Sequence, residues 1–232
     1  MRTRRTVAIA SAALGLLLSG CGASGGAKGA APRDVVKLLS GASKEPYSAR
    51  LRTVSSEAGA RVYLSQGRAN FNAPLTGRFD EETKAYGGEE VVVTDARVYR
   101  RPAPRGRAGG PWESFDASTA EGGIPLKNLR GYAQLLVDHG ARPVVADEEG
   151  VGPVQLLAAR IRPVDLKPVD AVAAGNLDGV GVIDTEVRLD DQGRVVRVEQ
   201  KFVGPRGGAT IQSTVTLRDF EPPVKVSAPE AS

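Results

Sequence analysis

The stretch VIDTEVRLDDQGRVVRVEQKF, residues 182–202, decides the fold class of this 232-residue chain. Two runs of alternating apolar and polar residues, Val182–Leu189 and Arg194–Phe202, flank the sequence DDQG at 190–193. Alternation with a period of two is typical of strands that bury one face, and acidic residues followed by glycine are typical of hairpin turns. A third alternating run, Thr210–Leu217, follows after a loop of glycine and proline. The segment therefore predicts an antiparallel meander.

Strand patterns also fill most of the chain before this stretch. Tyr47–Val54 alternates, with Ala49, Leu51 and Thr53 on one side. Shorter candidates bounded by turn residues are Arg61–Gln66, Ala69–Asn72, Gly77–Glu82, Glu90–Thr94, Arg97–Arg101, Pro143–Asp147 and Val154–Arg162. Helical spacing occurs in three short segments, which are Pro32–Leu39, Leu126–Gly140 and Val169–Ala174. Parallel strands would need a long crossover between every pair, so the pattern predicts an α+β fold with a single curved antiparallel sheet.

The amino terminus has the three parts of a secretory signal. Arg2, Arg4 and Arg5 precede an uncharged apolar run that begins at Thr6 and ends in small residues at Ser19 and Gly20. This apolar run is shorter than the roughly 20 residues that a membrane-spanning helix needs. Residues 1–20 are therefore predicted to be a signal peptide. Arg4-Arg5 leaves open whether export follows the twin-arginine or the general route.

The end of this signal, Leu18-Ser19-Gly20-Cys21, resembles the lipobox of bacterial lipoproteins. The resemblance implies cleavage before Cys21, a diacylglyceryl anchor on its thiol, and attachment to the extracytoplasmic face of the cell membrane. The alternative is that a lone cysteine in an apolar run is a small buried hydrophobe. Residues 21–31, rich in glycine and alanine, are predicted to be a flexible tether. Residues 32–221 are predicted to form one domain. Residues 222–232, which include three prolines, are predicted to be a disordered tail.

Charge and motif content exclude several function classes. The net charge of +4 falls to +1, with 28 basic against 27 acidic residues, once Arg2, Arg4 and Arg5 leave with the signal. A nearly neutral domain of this kind argues against nucleic-acid binding. The single cysteine excludes disulfides and thiolate metal sites. No hydrolase, zinc-protease or nucleotide-binding motif is present, and the single histidine, His139, lies near a helix end. We therefore predict a protein that is not an enzyme and that has no cofactor, metal or catalytic residue.

One basic run is dense enough to be a contact surface. Its residues, which no acidic residue interrupts, are Arg97, Arg100, Arg101, Arg105 and Arg107, with Trp112 just after them. Each basic residue near an anionic bilayer contributes about 1 kcal/mol of attraction. The run is interpreted as a contact for lipid headgroups or for a partner protein. The alternative is a solvated strand end and loop.

Several segments carry a resemblance to a known family. Besides the lipobox and the first helix, they are VVVTDARVY (91–99), WESFD (112–116), the helix Leu126–Gly140, EVRLD (186–190) and GRVVR (193–197). In these features the chain resembles, over roughly Pro32 to Phe220, the actinobacterial LppX/LprG group of cell-envelope lipoproteins. That group shares the fold of the periplasmic lipoprotein carrier LolA. The resemblance implies a half-open antiparallel β-barrel whose concave face is covered by a few helices. It also implies that acyl chains can be held between the sheet and these helices.

The resemblance implies a function as a membrane-anchored lipoprotein that binds or transfers a lipid or acyl chain. The residues expected to line the cavity or the core are Leu51, Val62, Leu64, Phe71, Phe79, Val91, Val93, Val98, Leu129, Leu136, Ile161, Val187 and Leu189. Aromatic residues are few and several strands carry Arg, Glu and Thr, so a filled core remains open. In that case the chain is an interaction or sensory domain of the envelope. The expected partners are the membrane through its anchor, a lipid ligand and an envelope protein, and the domain is expected to be a monomer.

Overall fold

A computed structural model describes residues 32–84, 87–103, 109–116 and 128–230 of the chain. The predicted signal peptide 1–20, Cys21 and the predicted tether 21–31 lie outside the described residues, as do Arg105 and Arg107.

Eleven strands of the described residues form one sheet, in which every neighbouring pair is antiparallel. The strands are β1 Tyr47–Glu57, β2 Ala60–Phe71, β3 Thr76–Thr83, β4 Gly87–Val93, β5 Arg97–Pro102, β6 Glu113–Asp116, β7 Val144–Glu148, β8 Gly152–Ile161, β9 Ile183–Leu189, β10 Val195–Val203 and β11 Thr210–Glu221. Their spatial order is β6-β5-β4-β3-β2-β1-β11-β10-β9-β8-β7. The sheet does not close, and the predicted fold of a half-open barrel with a few helices is confirmed.

The strand order follows from two meanders joined edge to edge. The chain starts at the centre of the sheet with β1 and steps outward to the edge strand β6. It then crosses to the opposite edge and returns inward from β7 to β11, which pairs with β1 along most of its length. The first and last strands therefore hold the two halves together through direct backbone hydrogen bonds.

The described helices are short. They are α1 Val35–Gly41, α2 Leu129–Asp138, α3 Pro163–Leu166 and α4 Ala171–Asn176. Side-chain caps begin three of them: Asp34, Asn128 and Asp170 accept hydrogen bonds from backbone amides at 3.2, 2.9 and 2.8 Å. The longest, α2, buries Tyr132 and Leu136 and contacts β8, β9 and β10. We call the concave sheet face toward α2 the inner face, and the opposite one the outer face.

The hydrophobic core lies on the inner face. Strand alternation places Leu51, Val187 and Leu217 there, each with no exposed surface. Full burial of a side chain of this size contributes roughly 1.5–3 kcal/mol. Val35 and Leu39 of α1 and Leu136 of α2 belong to the same cluster. The core therefore fixes both the curvature of the sheet and the positions of the helices above it.

The carboxyl-terminal segment lies against the outer face, whereas the sequence predicts a disordered tail for 222–232. Ser48 Oγ donates to Pro222 O at 2.9 Å, and Arg78 donates to Ser227 O at 3.1 Å. Between them, Asn70 donates to Val224 O at 2.8 Å and accepts from Val224 N at 2.9 Å. We call residues 222–227 the strap. The prolines prevent a regular strand, but the exposed outer face of β1–β3 supplies partners that the tail sequence alone does not reveal.

One secondary-structure prediction needs correction, and two elements were not predicted. The segments predicted as Arg61–Gln66 and Ala69–Asn72 belong to one strand, β2, which runs unbroken through Gly67 and ends at Phe71. A Cβ at Gly67 would lie 1.9 Å from Arg78 O of β3, so this position requires glycine. Strand β6 is not predicted, since all four of its residues are exposed and show no buried alternation. Helix α3 is also not predicted, and a four-residue helix gives no periodic signal.

Candidate ligand cleft at one end of the half-barrel

A cleft of about 390 Å³ opens at one end of the half-barrel. Five elements meet there: the end of α1, the start of β1, the end of β2, the start of α2 and the β9–β10 turn. The lining residues are Ala42, Ser43, Tyr47, Phe71, Asn72, Ala73, Asn128, Leu129, Arg130, Gly193, Arg194 and Val195. The volume lies at the lower end of the range typical of small-molecule sites.

Aromatic rings form one side of the cleft. Tyr47 and Phe71 face each other on neighbouring strands, with ring centroids 5.5 Å apart and planes inclined by 25°. Phe220 continues this cluster at 5.6 Å from Tyr47. Burial of the Tyr47 hydroxyl raises its pKa to about 12, and the nearby positive charges of Arg194 and Arg130 oppose that rise. Together with Leu129 and Val195, these rings give the cleft an apolar wall.

The turn between β9 and β10 forms another part of the cleft. Asp190 accepts hydrogen bonds from Gln192 N at 3.0 Å and Arg194 N at 2.8 Å, as acidic residues in tight turns do. Gly193 has a φ of +76°, and a Cβ there would lie 2.7 Å from Leu38 O of α1. Glycine is needed both for this backbone conformation and for the contact with the helix.

The two arginines of the cleft have different surroundings. Arg194 donates from Nε to Asp190 Oδ2 at 2.7 Å, and its guanidinium lies 4.1 Å from the centre of the Phe220 ring. Arg130 is half-buried and donates to Ala42 O at 3.4 Å. Among the described residues, no carboxylate forms an ion pair with Arg130. Within the part of the chain that the structure describes, Arg194 is therefore paired with a carboxylate and Arg130 is not.

The structure places the residues predicted to line a cavity in four different surroundings. Phe71 and Leu129 line the cleft. Val93 packs against the core, and the members buried in it are Leu51, Phe79, Val91, Val98, Leu136, Ile161, Val187 and Leu189. Leu64 pairs with Val54 and lies on the outer face, so its assignment to the cavity is wrong. Val62 lies where the β1–β2 register shifts. The predicted alternation included neither the register shift between β1 and β2 nor the unbroken course of β2. These two features set which residues of β2 face the core.

The predicted basic contact surface is partly neutralised by the neighbouring strand. Arg101 donates to Glu90 at 2.6 Å and lies 4.6 Å from the centre of the Trp112 ring. Arg100 lies 3.8 Å from Glu89. Arg97 is exposed. Strand β4 supplies these carboxylates. No acidic residue interrupts the run of arginines in the sequence, but in the fold β4 brings acidic side chains beside it. Its interpretation as a headgroup or partner contact stays a prediction.

His139 ends α2 in the described structure. Its Nδ1 lies 2.9 Å from Leu135 O, and its Nε2 lies 3.4 Å from Asp165 of α3. Within residues 32–84, 87–103, 109–116 and 128–230, no cluster of three potential metal ligands occurs. None of the helices in these ranges is long and apolar enough to cross a membrane.

Comparison with known proteins gives structural likeness only. No protein-family profile matches the chain, and no curated protein is similar in sequence. Lipoprotein LppX of Mycobacterium tuberculosis has a TM-score of 0.53 at 12% identity, over 83% of this chain and 96% of LppX. The MucA/MucB complex of Pseudomonas aeruginosa gives a TM-score of 0.38 at 15% identity, over 83% of this chain and 58% of the matched chain. A LolA superfamily protein of Nitrosomonas europaea has a TM-score of 0.31 at 9% identity, over 84% of this chain and 96% of that protein. At such identities only the fold is established, and the chain has the LppX-type half-barrel that the sequence resemblance implied.

Proposed function

We propose that this chain is an envelope lipoprotein, anchored through Cys21, that binds a lipid acyl chain in the cleft and performs no catalysis. The observation that carries the proposal is the cleft of about 390 Å³ with its wall of Tyr47, Phe71 and Leu129. A cleft of this size that combines an apolar wall with polar and charged side chains is typical of a small-ligand site. The LppX-type fold supports the same class of ligand, because the resemblance to the LppX/LprG group implies a fold that carries a lipid or acyl chain.

The attachment of the predicted tether supports the proposal geometrically. Arg33 donates from its backbone amide to Gln155 Oε1 at 3.0 Å, and from its guanidinium to Asp191 O at 3.0 Å. The domain therefore begins beside the β9–β10 turn, which is also a wall of the cleft. A flexible tether of about ten residues has a root-mean-square length of roughly 17 Å. An anchored domain thus has its cleft at the end from which the tether leaves, a short distance from the bilayer.

The test of ligand binding compares two tryptophan variants of the full chain carrying Cys21→Ala. Ala73→Trp places a large ring in the cleft, and Ala171→Trp adds the same ring at an exposed position on α4. After purification without added lipid, each protein is extracted with organic solvent and the lipid is quantified by mass spectrometry. We expect several-fold less lipid from Ala73→Trp than from Ala171→Trp. Absence of lipid from both the parent and the Ala171→Trp protein would favour the filled-core interaction domain instead.

The predicted anchor at Cys21 is tested in a separate experiment. A negative result there leaves the proposal of ligand binding in the cleft unchanged. The full chain and its Cys21→Ala variant are expressed in bacteria fed an alkyne fatty acid. We expect the label and the membrane association of the full chain to be lost in the variant, because the thiol is the predicted attachment point. Retention of the acyl label by Cys21→Ala would refute the anchor.

A further inference from the structure

We propose that the cleft selects single-chain amphiphiles with a carboxylate, of the long-chain fatty-acid type, and that Arg130 binds this carboxylate. The inference rests on the proposed function and adds a chemical class of ligand to it. It depends on three features of the cleft, which are the charge of Arg130, the pairing of Arg194 and the available volume.

Arg130 is the cation that a ligand can neutralise. Its guanidinium has five N–H donors, and the described residues provide one acceptor, Ala42 O, at the long distance of 3.4 Å. It is half-buried and close enough to Tyr47 to affect the pKa of that hydroxyl. A planar guanidinium binds a carboxylate through two parallel hydrogen bonds. In a partly desolvated cleft these bonds are stronger than on an open surface.

Arg194 does not compete for the same ligand group. Asp190 lies 2.7 Å from its Nε, and the ring of Phe220 lies against the guanidinium. Among the described residues, the cleft therefore has one positive charge without a carboxylate partner, which fits a ligand with one negative charge. The apolar wall of Tyr47, Phe71 and Leu129 lies in the same cleft and fits the ligand's hydrocarbon chain.

The volume limits the size of the ligand. About 390 Å³ is near the lower limit of small-ligand pockets. This favours one acyl chain over the two chains of a membrane phospholipid. A free fatty acid combines one chain with one carboxylate, and it matches both the size and the charge of the cleft.

The test uses the full chain in phosphatidylcholine vesicles and a photoactivatable diazirine analogue of hexadecanol as the probe. Palmitate and hexadecanol compete for labelling, and mass spectrometry locates the labelled peptides. A hydrogen-bonded charge pair corresponds to a preference of at least about tenfold. We expect palmitate to displace the probe at concentrations at least about tenfold lower than hexadecanol. In Arg130→Gln the two competitors should become equivalent within about twofold, because the probe still binds but the charge is gone.

Two further variants separate charge from folding. Arg130→Lys keeps the positive charge and should retain part of the preference for palmitate. Arg160→Gln removes an exposed arginine that pairs with Asp184, and should retain all of it. Retained probe labelling in Arg130→Gln reports an intact cleft. Equal competition by palmitate and hexadecanol in the parent, or an unchanged preference in Arg130→Gln, would overturn this inference while lipid binding stands. Absence of cleft labelling by the probe would overturn the proposed function as well.

Discussion

Two arginine-rich regions of the molecule use the same side chain in opposite ways. On the outer face, Glu148 of β7 lies 2.6 Å from Arg188, 3.6 Å from Arg197 and 3.6 Å from Arg218. These arginines belong to β9, β10 and β11. One carboxylate therefore connects the hairpin β7–β8, at the edge of the sheet, to three strands nearer its centre. In the cleft, Arg130 has a backbone carbonyl as its hydrogen-bond partner and no carboxylate among the described residues.

The difference indicates what each charge contributes. The side chain of Glu148 is 3% exposed. Removing this buried carboxylate leaves Arg218 without an ion pair among the described residues, while Arg188 and Arg197 keep Glu186 and Glu199 at 3.7 and 2.8 Å. The energy of the outer cluster is therefore part of the folding free energy. Arg130 compensates no buried charge among the described residues, so we expect its interaction energy to contribute to ligand binding and not to folding. The comparison predicts large stability effects on the outer face and small ones at Arg130.

The largest expected effect is that of Glu148→Ala. It leaves Arg188, Arg197 and Arg218 without their shared carboxylate, and the Nε atoms of all three are already buried without a hydrogen-bond partner in the described structure. Breaking a buried ion pair from one side costs about 3–5 kcal/mol. We expect a loss of this size in urea unfolding monitored by circular dichroism. The matched control is Glu149→Ala, an exposed neighbour, which should change stability by less than about 0.5 kcal/mol. Equal effects of the two variants would contradict a structural role for the outer cluster.

The second effect concerns Tyr47 and tests whether the cleft wall is buried. Its pKa is raised to about 12, chiefly by burial, whereas an exposed tyrosine ionises near 10. A raised pKa means that the folded state favours the neutral hydroxyl. The resulting stability is fully present below pH 10 and is lost as the pH rises from 10 towards 12. Absorbance at 295 nm should show Tyr47 ionising near pH 12, and Tyr47→Phe should remove that component. Ionisation of all five tyrosines near pH 10 in the folded protein would contradict the burial.

A smaller effect is expected from Asn70→Ala, which releases the strap from the outer face. Asn70 is 7% exposed and exchanges two hydrogen bonds with Val224. Loss of a buried hydrogen-bonding side chain costs about 1–3 kcal/mol. Hydrogen exchange should accelerate at Val224, whose amide donates to Asn70, while the core strands stay protected. Replacement of the exposed Asn72, which contacts Ser43 and Glu45, is the matched control and should leave exchange at Val224 unchanged.

The sheet was predictable where one face is buried and the other is exposed. Strands β1, β9, β10 and β11 follow their alternating residues closely, and the two-Asp turn before Gly193 indicates the central hairpin. The prediction failed at Leu64 because it divided β2 at Gly67, where close packing against β3 requires glycine. Strand β6 is exposed on both faces and gives no hydrophobic signal. Local patterns therefore predict the elements, whereas register depends on contacts between strands.

The cleft was much less predictable than the fold. Phe71 and Leu129 were identified as apolar residues facing inward, but Tyr47, Arg130 and Arg194 were not identified as site residues. The lining residues come from five separate segments between Ala42 and Val195, and only the topology brings them together. The sequence does give one signal, since Arg130 is the one basic residue of the helix α2, Leu129–Asp138. The missing carboxylate partner is visible only in the structure.

The smallest stability effect is expected from Arg130→Gln, and it completes the comparison of the two regions. Among the described residues, its side chain donates one hydrogen bond, to Ala42 O, and the distance of 3.4 Å makes this bond weak. Without ligand, we expect the free energy of unfolding to change by less than about 0.5 kcal/mol. With palmitate present, the parent should be stabilised more than the variant, because ligand binding to the folded state adds to stability. The measurement is urea unfolding of both proteins with and without palmitate. A loss of several kcal/mol without ligand would place Arg130 with the outer arginines, as a structural residue.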